Sequence, residues 1–176
     1  MSQSQPAAPT ITPTSGQGQG VPPLVVNAQY VKDMSFEVPG APQVYQTLRS
    51  PPQVAINLDV QVKPMETAGQ YEVTLQVRAQ ASDGQPAAGA EKPRAVFIAE
   101  LAYAGLFTLT GIPENAIEPV LLVECPRLLF PYARNILADV TRDGGFPPVL
   151  LQPIDFVTLW QQRRAQAASA QPAAVA

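Results

Sequence analysis

The chain has 176 residues, with 11 Lys and Arg against 14 Asp and Glu, a net charge of −3 and no histidine. That length suits one domain, and the charge balance lacks the basic footprint that nucleic-acid binding needs. The missing histidine removes the commonest general base and metal ligand, and a single cysteine excludes an intrachain disulfide.

Residues 1–22 are predicted to be a disordered tail. Up to position 20 they are almost all Ser, Gln, Pro, Ala, Thr and Gly, without charge. Such a stretch buries too little apolar area to offset the entropy of ordering it. It has neither the basic nor the apolar region of a secretory signal, so the expectation is a soluble cytoplasmic protein.

Residues 25–37 read as a strand. Tyr30, Met34 and Phe36 share one parity, Asp33, Ser35 and Glu37 the other, and Lys32 interrupts the pattern. Pro39-Gly40-Ala41-Pro42 and Pro51-Pro52 then bracket an irregular crossover carrying Tyr45 and Leu48. Val54, Ile56, Leu58, Val60 and Val62 alternate with polar or small residues, which is the pattern of a half-buried antiparallel strand. After a turn over residues 66–70, Tyr71, Val73, Leu75 and Val77 alternate in the same way. Residues 82–94 suit a flexible loop, long for a hairpin.

A fourth strand covers residues 95–110. Phe97, Ala99, Leu101, Tyr103, Phe107 and Leu109 line one face, with Ile98 and Glu100 on the other, and Gly105 is expected to allow a bulge. The 17 residues from position 95 to 111 are the most membrane-like stretch, but they contain Glu100. They also fall short of the roughly 20 apolar residues a span requires.

From Asn115 the period becomes helical. Leu121, Cys125, Leu128, Tyr132, Ile136 and Val140 form a stripe that Leu122, Leu129, Ala133 and Leu137 widen beyond what one small sheet needs. Pro126 and Pro131 stand within this run. Proline lacks a backbone donor, so Pro126 is expected to begin a second helical segment, where that loss costs little. Gly144-Gly145 ends it, residues 146–153 form an extended loop, and Asp155 caps a final helix from Phe156 to about Gln166. Residues 165–176 are expected to be a disordered tail, leaving one domain over residues 23–164. Four strands followed by helices indicate an α+β fold with a four-stranded antiparallel sheet.

Candidate catalytic chemistry is sparse. Cys125 lies in the helical stripe without a histidine to activate it and reads as a buried structural thiol. No phosphate-binding loop or dinucleotide fingerprint is present, and Asp139 and Asp143 read as a solvated helix face. No enzyme, cofactor or metal site is therefore expected. Two features suggest recognition instead. Asp33 and Glu37 on the first strand, with Ile98 and Glu100 on the fourth, form an acidic surface if both strands join one sheet. Phe36, Tyr45, Leu48, Phe146, Phe156, Leu159 and Trp160 lie beside prolines, in loops or in the last helix, where they either line an exposed groove or plug the edges of the core.

Several stretches resemble the bacterial protein-export chaperone family SecB: residues 30–42, residues 95–112, residues 125–134 (Cys-Pro-Arg-Leu-Leu-Phe-Pro-Tyr-Ala-Arg), and Phe146-Pro147 through Pro153-Ile154-Asp155-Phe156. The resemblance implies helices on one face of the sheet and a homotetramer built as a dimer of dimers. It implies an ATP-independent holdase that keeps unfolded secretory precursors translocation-competent and delivers them to the ATPase SecA. The family's contact with SecA's basic, zinc-bearing carboxyl-terminal tail maps onto Asp33, Glu37, Ile98 and Glu100. Its client groove maps onto the seven apolar residues just named. Its subunit contacts map near Ala99, Leu101 and Tyr103, with Cys125, Leu128 and Tyr132 on the helix between subunits. The alternatives are a SecB-like chaperone for a narrow client, such as a toxin–antitoxin system, and a small-molecule carrier.

Overall fold

A computed structural model describes residues 22–86 and 93–170. Most of the expected amino-terminal tail and the last six residues of the carboxyl-terminal one lie outside the described residues. Four strands, β1 (Leu24–Glu37), β2 (Gln53–Pro64), β3 (Gln70–Pro86) and β4 (Pro93–Leu109), pair antiparallel in the order β1-β4-β3-β2. A short helix, α1 (Gln43–Thr47), lies in the crossover from β1 to β2. The chain then runs through α2 (Glu114–Pro119), a π-helical turn (Val120–Glu124), α3 (Cys125–Asp143) and α4 (Phe156–Ala170).

The alternating residues place one apolar face of the sheet beneath the helices. Val73, Leu75 and Val77 of β3, with Ala99, Leu101 and Phe107 of β4, are buried against Leu121, Cys125, Leu129, Ala133 and Leu137. The helical stripe therefore divides. Its members four residues apart from Leu121 to Leu137 face their own sheet, while Leu128 and Tyr132 stay 41% and 52% exposed. Pro126 has no amide hydrogen to offer Leu122, and its ring would strike that carbonyl in a regular helix. The chain widens into the π-helical turn just before it, and α3 begins at Cys125 with Pro126 in its first turn, as expected.

Three expectations change. Gly105 makes no bulge and pairs with Gln29 and Val73. It is small because a Cβ would lie 2.6 Å from the Phe107 ring and 3.0 Å from Leu129, holding α3 off the sheet. The β3–β4 ladder extends to Pro86 opposite Pro93, so only residues 87–92 of the expected loop lie outside it and outside the described residues. Helix α4 reaches Ala170, past Gln166 and into the tail expected to be disordered, because alanine, the best helix former, recurs there.

The interruption at Lys32 is a β-bulge: the β1–β4 register shifts between Val31 and Asp33. The shift moves Tyr30 away from Met34 and Phe36, with which its parity had grouped it, and onto the open face opposite Ala104. There the Tyr30 hydroxyl donates to Glu72 at 2.5 Å, and the Lys32 ammonium donates to the other Glu72 oxygen at 2.7 Å. Lys32 first, then Tyr30, hold the Glu72 carboxyl below its usual range, and the bond to Glu72 pushes the Tyr30 phenol up to about 12. A carboxylate depressed in the folded state stabilises above its unfolded pKa, and that contribution fades as pH falls through the folded value. Glu72→Gln should thus cost about 1 kcal/mol near neutral pH, and the gap from the parent should close below about pH 4. Urea unfolding across pH checks this; a gap that does not change with pH would contradict it.

Candidate functional site

The open face of the sheet carries the acidic residues. Cross-strand partners share a face, and Ser35 stands opposite Glu100, Glu37 opposite Ile98, and Asp33 opposite Ala102. The β1–β4 ladder thus brings Asp33, Glu37, Ile98 and Glu100 together, as strand parity had grouped them. Asp33 and Glu37 are exposed, and Ile98 and Glu100 are partly covered. Arg78 of β3, opposite Glu100 in the ladder, forms an ion pair with it. The sequence reading missed this residue, because its position depends on a β3–β4 register that the sequence does not give.

The opposite face, beyond the end of α3, holds an aromatic cluster. Phe97 lies 4.9 Å from Phe146 and 5.6 Å from Phe36 between ring centroids, and Tyr45 stacks on Phe146 at 5.3 Å. The Tyr45 hydroxyl donates to the Gly144 carbonyl at 2.9 Å, tying the crossover to the end of α3. Phe36, Tyr45, Leu48 and Phe146 therefore belong to one neighbourhood. Beside it, Pro52 and Val54 on one wall and Pro148, Val149 and Leu150 on the other enclose a cleft of about 230 Å³ with Phe97 among its lining. Leu150 is 59% exposed. These walls were not predicted; the available signal was a proline pair beside aliphatic residues on both segments, 51–54 and 147–150.

Phe156, Leu159 and Trp160, expected in the same groove, lie apart from this neighbourhood. Phe156 is fully buried in the main core, edge-on to Phe130 at 5.9 Å, because Asp155 caps α4 and turns its first residue inward. The Thr158 hydroxyl chiefly holds the Asp155 carboxyl below its ordinary value. Leu159 and Trp160 pack on the side of β2 and the π-helical turn, and the Trp160 indole donates to Glu118 at 3.1 Å.

The expected subunit-contact residues also separate. Ala99, Leu101 and Cys125 are covered by their own chain, since they meet the inner face between sheet and α3. Tyr103 is nearly buried and stacks on exposed Tyr132 at 5.9 Å. Burial pushes the Cys125 thiol up to about 12, leaving it as thiol at neutral pH. Among the described residues no group of Cys, Asp and Glu gathers closely enough to hold a metal ion, and no helix is long and apolar enough to cross a membrane.

A family profile described as preprotein translocase subunit SecB matches residues 17–167. The chain belongs to the SecB family. Protein-export protein SecB of Granulibacter bethesdensis is 64% identical over 163 residues, covering 92% of this chain and 94% of its own. That of Acidiphilium cryptum is 67% identical over 152 residues, covering 83% and 92%. A SecB-like chaperone of Mycobacterium tuberculosis, solved in complex with a ChAD peptide from an antitoxin, has a TM-score of 0.58 over 75% of this chain and 91% of its own. At 16% identity that likeness is one of fold. The SecB matches assign this chain a chaperone role in protein export.

The junction between α3 and the aromatic cluster has no spare room: a Cβ on Gly144 would collide with the Phe36 ring. Gly144→Ala should displace Phe36 and cost about 1–3 kcal/mol, the usual range for overpacking. Equilibrium urea unfolding measures this, and an unchanged midpoint would mean that Phe36 swings aside freely.

Proposed function

We propose that this chain is an ATP-independent holdase. In this reading it binds unfolded secretory precursors, keeps them from folding, and passes them to SecA in the cytoplasm. The observation that carries the client reading is the exposed aliphatic cleft at Val54 and Leu150 beside a packed aromatic cluster. Exposed apolar surface of this kind serves interaction. An extended client has apolar side chains to bury there, and a long one gains further by occupying several such clefts at once. The client groove is accordingly drawn around Tyr45, Leu48, Val54 and Leu150.

SecA docking is proposed for the other face. Asp33, Glu37 and Glu100 supply negative charge around Ile98, which suits the basic carboxyl-terminal tail of SecA. Assembly as a dimer of dimers is proposed through the apolar surface left open at β1 and α3. Val31 and Met34 are each 47% exposed, and Tyr103 links Val31, its ladder partner, to Tyr132. The narrow-client alternative is less favoured, since the antitoxin-bound relative shares 16% identity against 64% and 67% for the export proteins.

The test mixes the purified chain with a chemically unfolded, slow-folding precursor and dilutes out the denaturant. Arrested refolding, in a complex with four copies of the chain, is expected. Refolding at the unassisted rate would remove the holdase reading. Glu100→Lys should weaken binding of the SecA tail about tenfold or more while client capture persists. Equal loss of both activities would reject the assignment of the acidic face.

A further inference from the structure

The open face is not uniformly acidic. Asp33, Asn57, Asp59, Gln76, Arg78 and Glu100 line a trough of about 340 Å³ that reaches across all four strands. Two of its three carboxylates are already engaged. Asp59 pairs with Arg163, which reaches round the β2 edge from α4 and also donates to the Val60 carbonyl at 3.1 Å. Glu100 pairs with Arg78. Asp33 makes no ion pair among the described residues. Arg163 is anchored by a backbone bond as well as by charge, whereas Arg78 is held by Glu100, with both side chains nearly half exposed (47% and 46%).

We propose that Arg78 is a built-in competitor at this surface: a basic partner segment seats a cation on Glu100 by displacing the Arg78 guanidinium. The proposal rests on the reading of the acidic face as the SecA-docking surface. Its chemistry follows from the pair itself. A guanidinium on a carboxylate occupies the site a partner's Lys or Arg would take, cancels the charge that attracts it, and adds a like charge beside it. An exposed pair of this kind shifts an equilibrium by no more than about fivefold, so the exchange tunes affinity without blocking it. Arg78 thereby sets how selectively the surface answers to strongly basic segments: a single weak cation gains little by the exchange, and a segment with several gains through its remaining contacts at Asp33 and Glu37.

The experiment titrates the full chain with a synthetic peptide of SecA's zinc-bearing carboxyl-terminal tail, by calorimetry at low and high salt. Arg78→Gln should bind about fivefold more tightly at low salt, with the gain shrinking at high salt as screening weakens the exposed charges. Arg78→Lys, which keeps the charge, should stay within about twofold of the parent. Unchanged or weaker binding by Arg78→Gln, with binding still lost in Glu100→Lys, would overturn the competitor and leave the docking reading in place. Absence of binding by the parent and every variant would overturn the docking reading and the competitor with it.

Discussion

Burial of one face of the sheet against α3 governs the rest of the structure. Val73, Leu75, Phe107, Leu129, Ala133 and Leu137 are essentially inaccessible, and they close only because Gly105 lets the helix descend onto β4. Burying such side chains is worth about 1.5–3 kcal/mol each, so this layer dominates the stability. Among the described residues all the long helices lie on that one side, and none covers the other side of the sheet. The alternation of the strands fills that side with Asp33, Glu72, Arg78 and Glu100.

Two surfaces follow from the same alternation. Successive strand residues point to opposite faces. Phe36 and Phe97 therefore enter the aromatic cluster, while their neighbours Glu37 and Ile98 face each other on the open side. The aromatic cluster beside the cleft and the acidic surface lie back to back on one stretch of β1 and β4. Under the proposed function this separation would let an unfolded chain and the receiving partner bind together, since neither would obstruct the other.

The sequence made the strands, the helix order and the acidic grouping legible because those depend on local period. Parity alone placed Asp33 and Glu37 with Ile98 and Glu100, since the bulge at Lys32 falls before all four in the ladder. It misplaced Tyr30, which lies on the far side of that bulge. The apolar groove was harder to read. An aromatic side chain near a proline does not reveal whether it lines a surface or fills the core. Phe156 proved to be core because a cap at Asp155 orients it, while Leu150 proved to be surface, standing between Val149 and Leu151, which pack inward. The stripe wider than one sheet needs drew Cys125 toward a subunit contact together with Leu128 and Tyr132, yet Cys125 is covered by its own chain and the exposed surplus resides at Leu128 and Tyr132. Pairings such as Arg78 with Glu100 and Arg163 with Asp59 depend on register and on the path of α4, which no local pattern encodes.

The proposed function puts capture of unfolded chain on one face of the sheet and the export partner on the other. Hydrogen-exchange footprints of the full chain, bound first to an unfolded precursor and then also to the SecA tail peptide, test it directly. The precursor should slow exchange around residues 43–48, 51–54 and 147–150, and the peptide should add protection at residues 33–37 and 98–100 without releasing the precursor. Protection by both ligands on one face, or release of the precursor when the peptide binds, would rule out this division between the two faces.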